Sequence, residues 1–153
     1  IRLALCFYPY ASARTQIFLS SAQAQTLLEA LKVPTGCKEM ALLLLQLSQK
    51  AFSLSLGSLK AADVLELMES LDGFRRAERL RDALSAGLIA STFADQTHVH
   101  QTIQGLMTAL DFTQQLDIKH LTSEAVREGV KGTEIGQLIH QARLDALRTL
   151  LGS

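Results

Sequence analysis

Four histidines, an arginine cluster and a pair of glycines are the residues whose types and spacing could support chemistry in this chain of 153 residues. His98-Val99-His100 is the nearest approach to a metal motif. Residues two apart on a helix project roughly 200° from one another, so the two imidazoles cannot easily share one metal. His120 and His140 read as structural or surface histidines, and no metal is expected. No Gly-Xaa-Ser-Xaa-Gly elbow, no phosphate-cradling glycine loop and no pair of spaced aspartates for two-metal chemistry occurs. The chain itself therefore reads as non-catalytic.

The segment Leu71-Asp72-Gly73-Phe74-Arg75-Arg76-Ala77-Glu78-Arg79-Leu80-Arg81 is more informative. Its arginines meet only Glu78 inside the cluster. On a helix, Arg75 and Arg79 share a face at i, i+4, where forked guanidinium donors could grip adjacent phosphates. Binding of that kind releases counterions and weakens with salt. The alternative is a solvated face on which Arg76, Arg79 or Asp72 pins neighbouring helices through ion pairs, and spacing alone weighs toward it. A second segment, Gly129-Val130-Lys131-Gly132-Thr133-Glu134-Ile135, places two glycines before a helix start. Unsatisfied N–H groups there attract anions and Lys131 adds charge, but Glu134 already offers a carboxylate to the same helix end. A tight helix–helix corner is an equally good account of the glycines.

The elements that must position these residues read as helices throughout. Apolar residues make up 48% of the chain, enough for a core, while aromatics are 5% and Trp is absent, so leucine and alanine must fill it. Two prolines in the whole chain leave room for long helices. Helices are expected over 1–8, from Ser20 or Ser21 to 32, over 37–51, 59–71 and 74–89, from an Asp95 cap to 116, from a Thr122 or Ser123 cap to 129, and from 132 onward. Val64, Leu67, Met68 and Leu71 form one core stripe, and Val99, Ile103, Leu106, Met107 and Leu110 another. Ile135, Leu138, Ile139, Ala142, Ala146 and Leu150 form the last. No stretch shows a bounded period-two alternation. The fold class is all-α, an array of about seven helices.

Net charge is zero, so any nucleic-acid contact must come from a local cluster. Cys6 and Cys37 are far apart in apolar stretches, which predicts two buried reduced thiols and a cytoplasmic location. The longest apolar run, 40–45, falls well short of the ~20 residues that span a membrane, so no membrane partner is expected. The chain opens at Ile1 without a Met or a signal pattern, which reads as an internal start.

The helix Leu59-Lys60-Ala61-Ala62-Asp63-Val64-Leu65-Glu66-Leu67 leading into Asp72-Gly73-Phe74-Arg75-Arg76-Ala77-Glu78-Arg79 resembles the body of the class II bacterial tRNA nucleotidyltransferases, the CCA-adding enzymes. Residues 129–147 resemble the tail of that family, where a glycine pair precedes Gly-Xaa-Glu-Ile and the last helix. Leu31-Lys32-Val33-Pro34 before an apolar helix fits as well. The likeness spans most of the chain, with a weak patch at 85–95. Many relatives carry a His-Asp metal phosphohydrolase domain entered through a segment like Arg-Leu-Ala-Leu-Leu-Phe-His-Asp. Here the chain reads Arg2-Leu3-Ala4-Leu5-Cys6-Phe7-Tyr8-Pro9, and Tyr8-Pro9 cannot replace an imidazole–carboxylate ligand pair. Ser20 and Gln46-Leu47-Ser48 occupy the territory of further ligands. A second departure is Ala77, which stands where the family has Pro.

The resemblance implies a fragment of a larger enzyme, with residues 1–56 a degenerate His-Asp-like helical segment and 57–153 a tRNA-binding body and tail. The parent would add CCA to tRNA 3′ ends from CTP and ATP with Mg²⁺, in a head domain that precedes Ile1. The fragment would hold the acceptor stem and elbow of tRNA through Arg75, Arg76 and Arg79, and more weakly through Lys60 and Lys131. A reading of another class is a helical protein-interaction or dimerisation module without RNA binding, a homodimer through the leucine face at 42–47. A retained metal phosphohydrolase is a third, against which Tyr8-Pro9 stands.

Overall fold

The computed structural model describes residues 20–55, 59–93 and 97–152. Among them lie seven helices and no strand: α1 (Ser21–Ala30), α2 (Thr35–Ser55), α3 (Ala61–Ser70), α4 (Ala77–Phe93), α5 (Thr97–Gln114), α6 (Ile118–Arg127) and α7 (Gly132–Leu151). The helix expected over 1–8, the Asp95 cap and Cys6 lie outside the described residues.

Helix α1 starts where a capping box fixes it. The Gln23 amide N–H donates to Ser20 Oγ at 3.2 Å, and the Ser20 N–H donates to Gln23 Oε1 at 2.9 Å. Helix α2 runs longer at both ends than expected. Pro34 precedes it and its carbonyl accepts from Lys38 N–H at 2.9 Å, so the proline initiates the helix. The leucine run of α2 is apolar all round because two partners cover it. Ala41 and Leu45 meet Ala24 and Leu28 of α1, while Leu43, Leu44, Leu47 and Ala51 enter the main core. This leaves little of the 42–47 face for a second chain. Each fully buried leucine contributes about 2 kcal/mol of transfer free energy.

Helix α5 is central and packs on α2, α3, α4 and α7. Its stripe Val99, Ile103, Leu106 and Leu110 is buried as the spacing predicts, with Met107 at the margin. The same holds for Val64, Leu67 and Met68 of α3, joined by Leu65. From α4 come Leu80, Ala83, Leu84 and Ala86, so one core joins α2 to α5 across residue 56. Gly87 of α4 permits a close approach: a Cβ there would lie 3.2 Å from Ile103 Cδ1, which would have to give way.

Several boundaries differ from expectation, each for a local reason. Helix α4 begins at Ala77, not near Phe74, because a turn intervenes. Helix α6 is capped by Asp117, whose Oδ1 accepts the His120 N–H at 2.9 Å. Thr122 and Ser123, the expected caps, instead lie inside α6. Their hydroxyls donate back to the carbonyls of Ile118 (2.9 Å) and Lys119 (2.8 Å), which lets them sit mid-helix. In α7 only Leu147 is fully buried. Leu144, Leu150 and Leu151 flank it, so the docked face of the second half is rotated from the expected stripe toward Arg143 and Leu147. Cys37 is exposed near the start of α2, contrary to the burial expected of it.

Helices α1, α3 and α6 end alike. The residues just past their caps, Lys32, Asp72 and Gly129, have φ of 51°, 56° and 82°. The following N–H reaches back to Leu28, Met68 and Ala125 carbonyls at 3.1, 2.8 and 2.9 Å, the Schellman pattern. Glycine suits that left-handed position, and Gly129 is used there. Asp72 is the exception that matters below.

Candidate nucleic-acid interface

The arginine cluster is built on the Schellman turn that ends α3. Asp72 takes the left-handed conformation and Gly73 follows under Leu80: a Cβ on Gly73 would stand 2.4 Å from Leu80 Cδ2 and 3.0 Å from the Met68 carbonyl oxygen. The chain then turns through Phe74, Arg75 and Arg76 into α4. The Asp72 carbonyl accepts Arg76 N–H at 2.9 Å.

From that turn the Asp72 carboxylate organises the cations. Arg75 grips it with Nε (3.0 Å to Oδ2) and Nη2 (2.7 Å to Oδ2), and Arg76 Nε lies 3.4 Å away. The Arg75 bond holds the Asp72 carboxyl below its ordinary pKa against the opposing effect of burial, aided by the positive charges of Arg75, Arg76 and Arg79. The same bond raises Arg75. Arg75 nonetheless keeps 75% of its side chain exposed and Arg76 keeps 50%. Arg79 behaves differently. It is 29% exposed, and its Nη2 donates to the Glu39 carbonyl at 3.2 Å, which pins α4 to α2. Arg81 ties α4 to α5 through Asp111 at 2.6 Å; that bond and one to Glu78 raise its pKa. Arg75 and Arg79 therefore do not share a helical face, because Arg75 lies before the helix begins.

Lys60 and Lys131 are placed elsewhere. Lys60 is exposed at the far end of α3, whose 10 residues rise about 15 Å. Lys131 precedes α7, and its backbone N–H is 3.4 Å from Glu134 Oε2, so Glu134 does meet that helix start. The site thus gathers Arg75, Arg76 and Arg79 and leaves the two lysines apart.

Helix α7 supplies a second wall. His140 Nδ1 is 2.9 Å from Glu69 Oε1 of α3, and the Arg143 guanidinium stacks 3.8 Å from the centroid of Phe74. Arg143 Nε is enclosed and meets no hydrogen-bond partner among the described residues. Burial lowers the Arg143 pKa and the charge of Glu69 opposes the shift, but an arginine remains a cation at any physiological pH. Glu69, Asp72, Phe74, Arg75 and Arg143 line an open groove of about 350 Å³. Arg143 was not singled out from the sequence, His140 was read there only as a structural or surface histidine, and Phe74 only as part of the arginine segment. Arg143 sits four residues from both Ile139 and Leu147, and that apolar spacing is the one signal that it faces inward.

The remaining histidines stay apart. His98 is exposed, His100 places Nδ1 3.1 Å from Ser91 Oγ, and His120 lies 3.6 Å from Glu124 one turn on. Among the described residues no group of three or more His, Cys, Asp or Glu is placed to hold a metal. No described helix is long and apolar enough to cross a membrane.

The chain is similar to multifunctional CCA proteins. It is 33% identical over 126 residues to the one from Alcanivorax borkumensis and 30% over 123 residues to the one from Polaromonas naphthalenivorans, in each case across 78% of this chain. A shorter stretch of 62 residues, 40% of the chain, is 40% identical to the one from Methylobacillus flagellatus. The chain spans about 28% of the length of the first two relatives. No family model and no solved structure matches it.

Proposed function

We propose that this chain is the carboxy-terminal body and tail of a class II bacterial tRNA nucleotidyltransferase, and that it holds the acceptor stem and elbow of tRNA without catalysing a step itself. CTP, ATP and Mg²⁺ belong in this reading to a head domain outside the chain. Residues 1–56 are the remnant of a His-Asp phosphohydrolase domain in which Tyr8-Pro9 has replaced the ligand pair. Contacts to RNA come from Arg75 and Arg76, with Arg79, Lys60 and Lys131 at the margins.

The observation that carries the proposal is the outward presentation of Arg75 and Arg76 on the turn that ends α3, in a chain similar over most of its length to multifunctional CCA proteins. Asp72 fixes both guanidinium groups without covering them, and a fixed fork suits the backbone of a folded RNA, which proteins recognise by shape. The test is tRNA binding by the full chain at low salt. Arg75→Glu/Arg76→Glu should weaken binding by about tenfold or more, and unchanged affinity would reject the surface. Arg79 is left intact because its loss would also loosen α4 from α2.

A further inference from the structure

We infer that Arg143 of α7 is an RNA-phosphate ligand, and that the groove between α3 and α7 seats one phosphodiester between it and Arg75. The inference rests on the RNA-holding reading above and adds a residue and a place to it.

The carboxylates beside the groove are already engaged. Asp72 is taken by Arg75 and Arg76, and Glu69 meets His140 at 2.9 Å. Arg143 is the cation left over, with no ion pair or hydrogen bond among the described residues, although burial of its Nε raises the cost of carrying charge there. A half-enclosed guanidinium that feels the charge of Glu69 but has no anion in contact is a costly arrangement unless an anion completes it. Stacking on Phe74 offsets part of that cost and holds the planar fork in one orientation. Pre-orientation lowers the entropy lost on binding.

Donors remain available on both walls. Arg75 uses Nε and Nη2 on Asp72 and has Nη1 to spare. Arg143 has both Nη groups to spare. Their side chains line the same open groove of about 350 Å³, ample for a phosphate with its two ester oxygens continuing along a strand. A phosphate seated there would also tie α7 to the turn after α3, so that gripping RNA would fasten the tail to the body.

The experiment measures tRNA affinity of the full chain across a salt series for wild type, Arg143→Gln and Arg75→Glu/Arg76→Glu. The expected result for Arg143→Gln is a loss of about tenfold at low salt and a plot of log K against log salt shallower by about one. A loss with an unchanged slope would overturn the inference, since it would mean that Arg143 only supports α7. Wild-type affinity in Arg143→Gln with weakened binding in the double variant would overturn it too and leave the RNA-holding reading standing. No effect in either variant would overturn both. Should Arg143→Gln not fold, an arginine-selective dicarbonyl on the wild-type chain, mapped by peptide mass, serves instead. tRNA should slow modification of Arg143, and modification at the unprotected rate would overturn the inference.

Discussion

The body helices α2–α5 and the α6–α7 hairpin are held in different ways. In the body, Leu44, Leu47, Leu65, Met68, Leu84, Ile103 and Leu110 are each at most 1% exposed. In the hairpin, full burial is limited to Ala125 and Leu147. Their charges differ as well. Arg75, Arg76, Arg79 and Arg81 each meet a carboxylate, as does Arg148 of α7, whereas Lys119, Arg127, Lys131 and Arg143 form no ion pair among the described residues. Burial is thus concentrated in the body, while cations without an ion pair among the described residues occur in both parts, Lys60 in the body and Lys119, Arg127, Lys131 and Arg143 in the hairpin. The densest cluster of arginines is also the most internally neutralised, although Arg75 and Arg76 keep half or more of their side chains exposed.

The sharpest break of this contrast is a core deletion in each half. Leu84→Ala should cost about 3 kcal/mol in urea unfolding, with the whole chain responding. Leu147→Ala should instead speed amide exchange in α7 while α4 and α5 stay protected. Equal loss of protection in both halves would show that the hairpin is part of the same cooperative unit. Next in size is Gly73→Ala. Its Cβ would collide with Leu80 and crowd the Met68 carbonyl, so a loss of about 2 kcal/mol is expected, read as a lower urea midpoint. Phe74→Leu keeps an apolar contact but removes the ring under Arg143. It should cost about 0.5–1 kcal/mol and loosen α7 more than α5, as judged by exchange.

The smallest effect concerns pH. The folded Asp72 carboxyl lies below its ordinary pKa because Arg75 and Arg76 bind its charged form. That contribution is present above the ordinary carboxylate range and is lost as pH falls through the lowered value. Asp72→Asn tolerates the left-handed turn and removes the charge. The stability gap between wild type and Asp72→Asn should therefore be visible near neutral pH and close on acidification. A gap that widens toward low pH would contradict the assigned sign.

Much of the fold was legible because apolar spacing carries it. The stripes of α3 and α5 are read directly, and a serine cap at Ser20 or Ser21 announces α1, the structure choosing Ser20. The start of α6 was not legible. Asp117, Thr122 and Ser123 are all acceptable caps, and only the backbone shows that the hydroxyls bond back within the helix. The phase of α7 was equally hidden, since its docking face mixes His140 and Arg143 with leucines and a polarity count cannot rank them. The site was half legible. Arg75 and Arg76 stand out as residue types, but the role of Asp72 depends on a left-handed conformation rarely given to a non-glycine residue, and that of Arg143 on a contact between residues 69 positions apart in the sequence.

The salt dependence of tRNA binding by the intact chain tests the central claim most directly. Outward guanidinium groups on a rigid helical support predict an affinity that falls steeply with salt, with a log–log slope of about −2 or steeper that flattens in Arg75→Glu/Arg76→Glu. A salt-independent affinity, or a slope indifferent to those two charges, would contradict it.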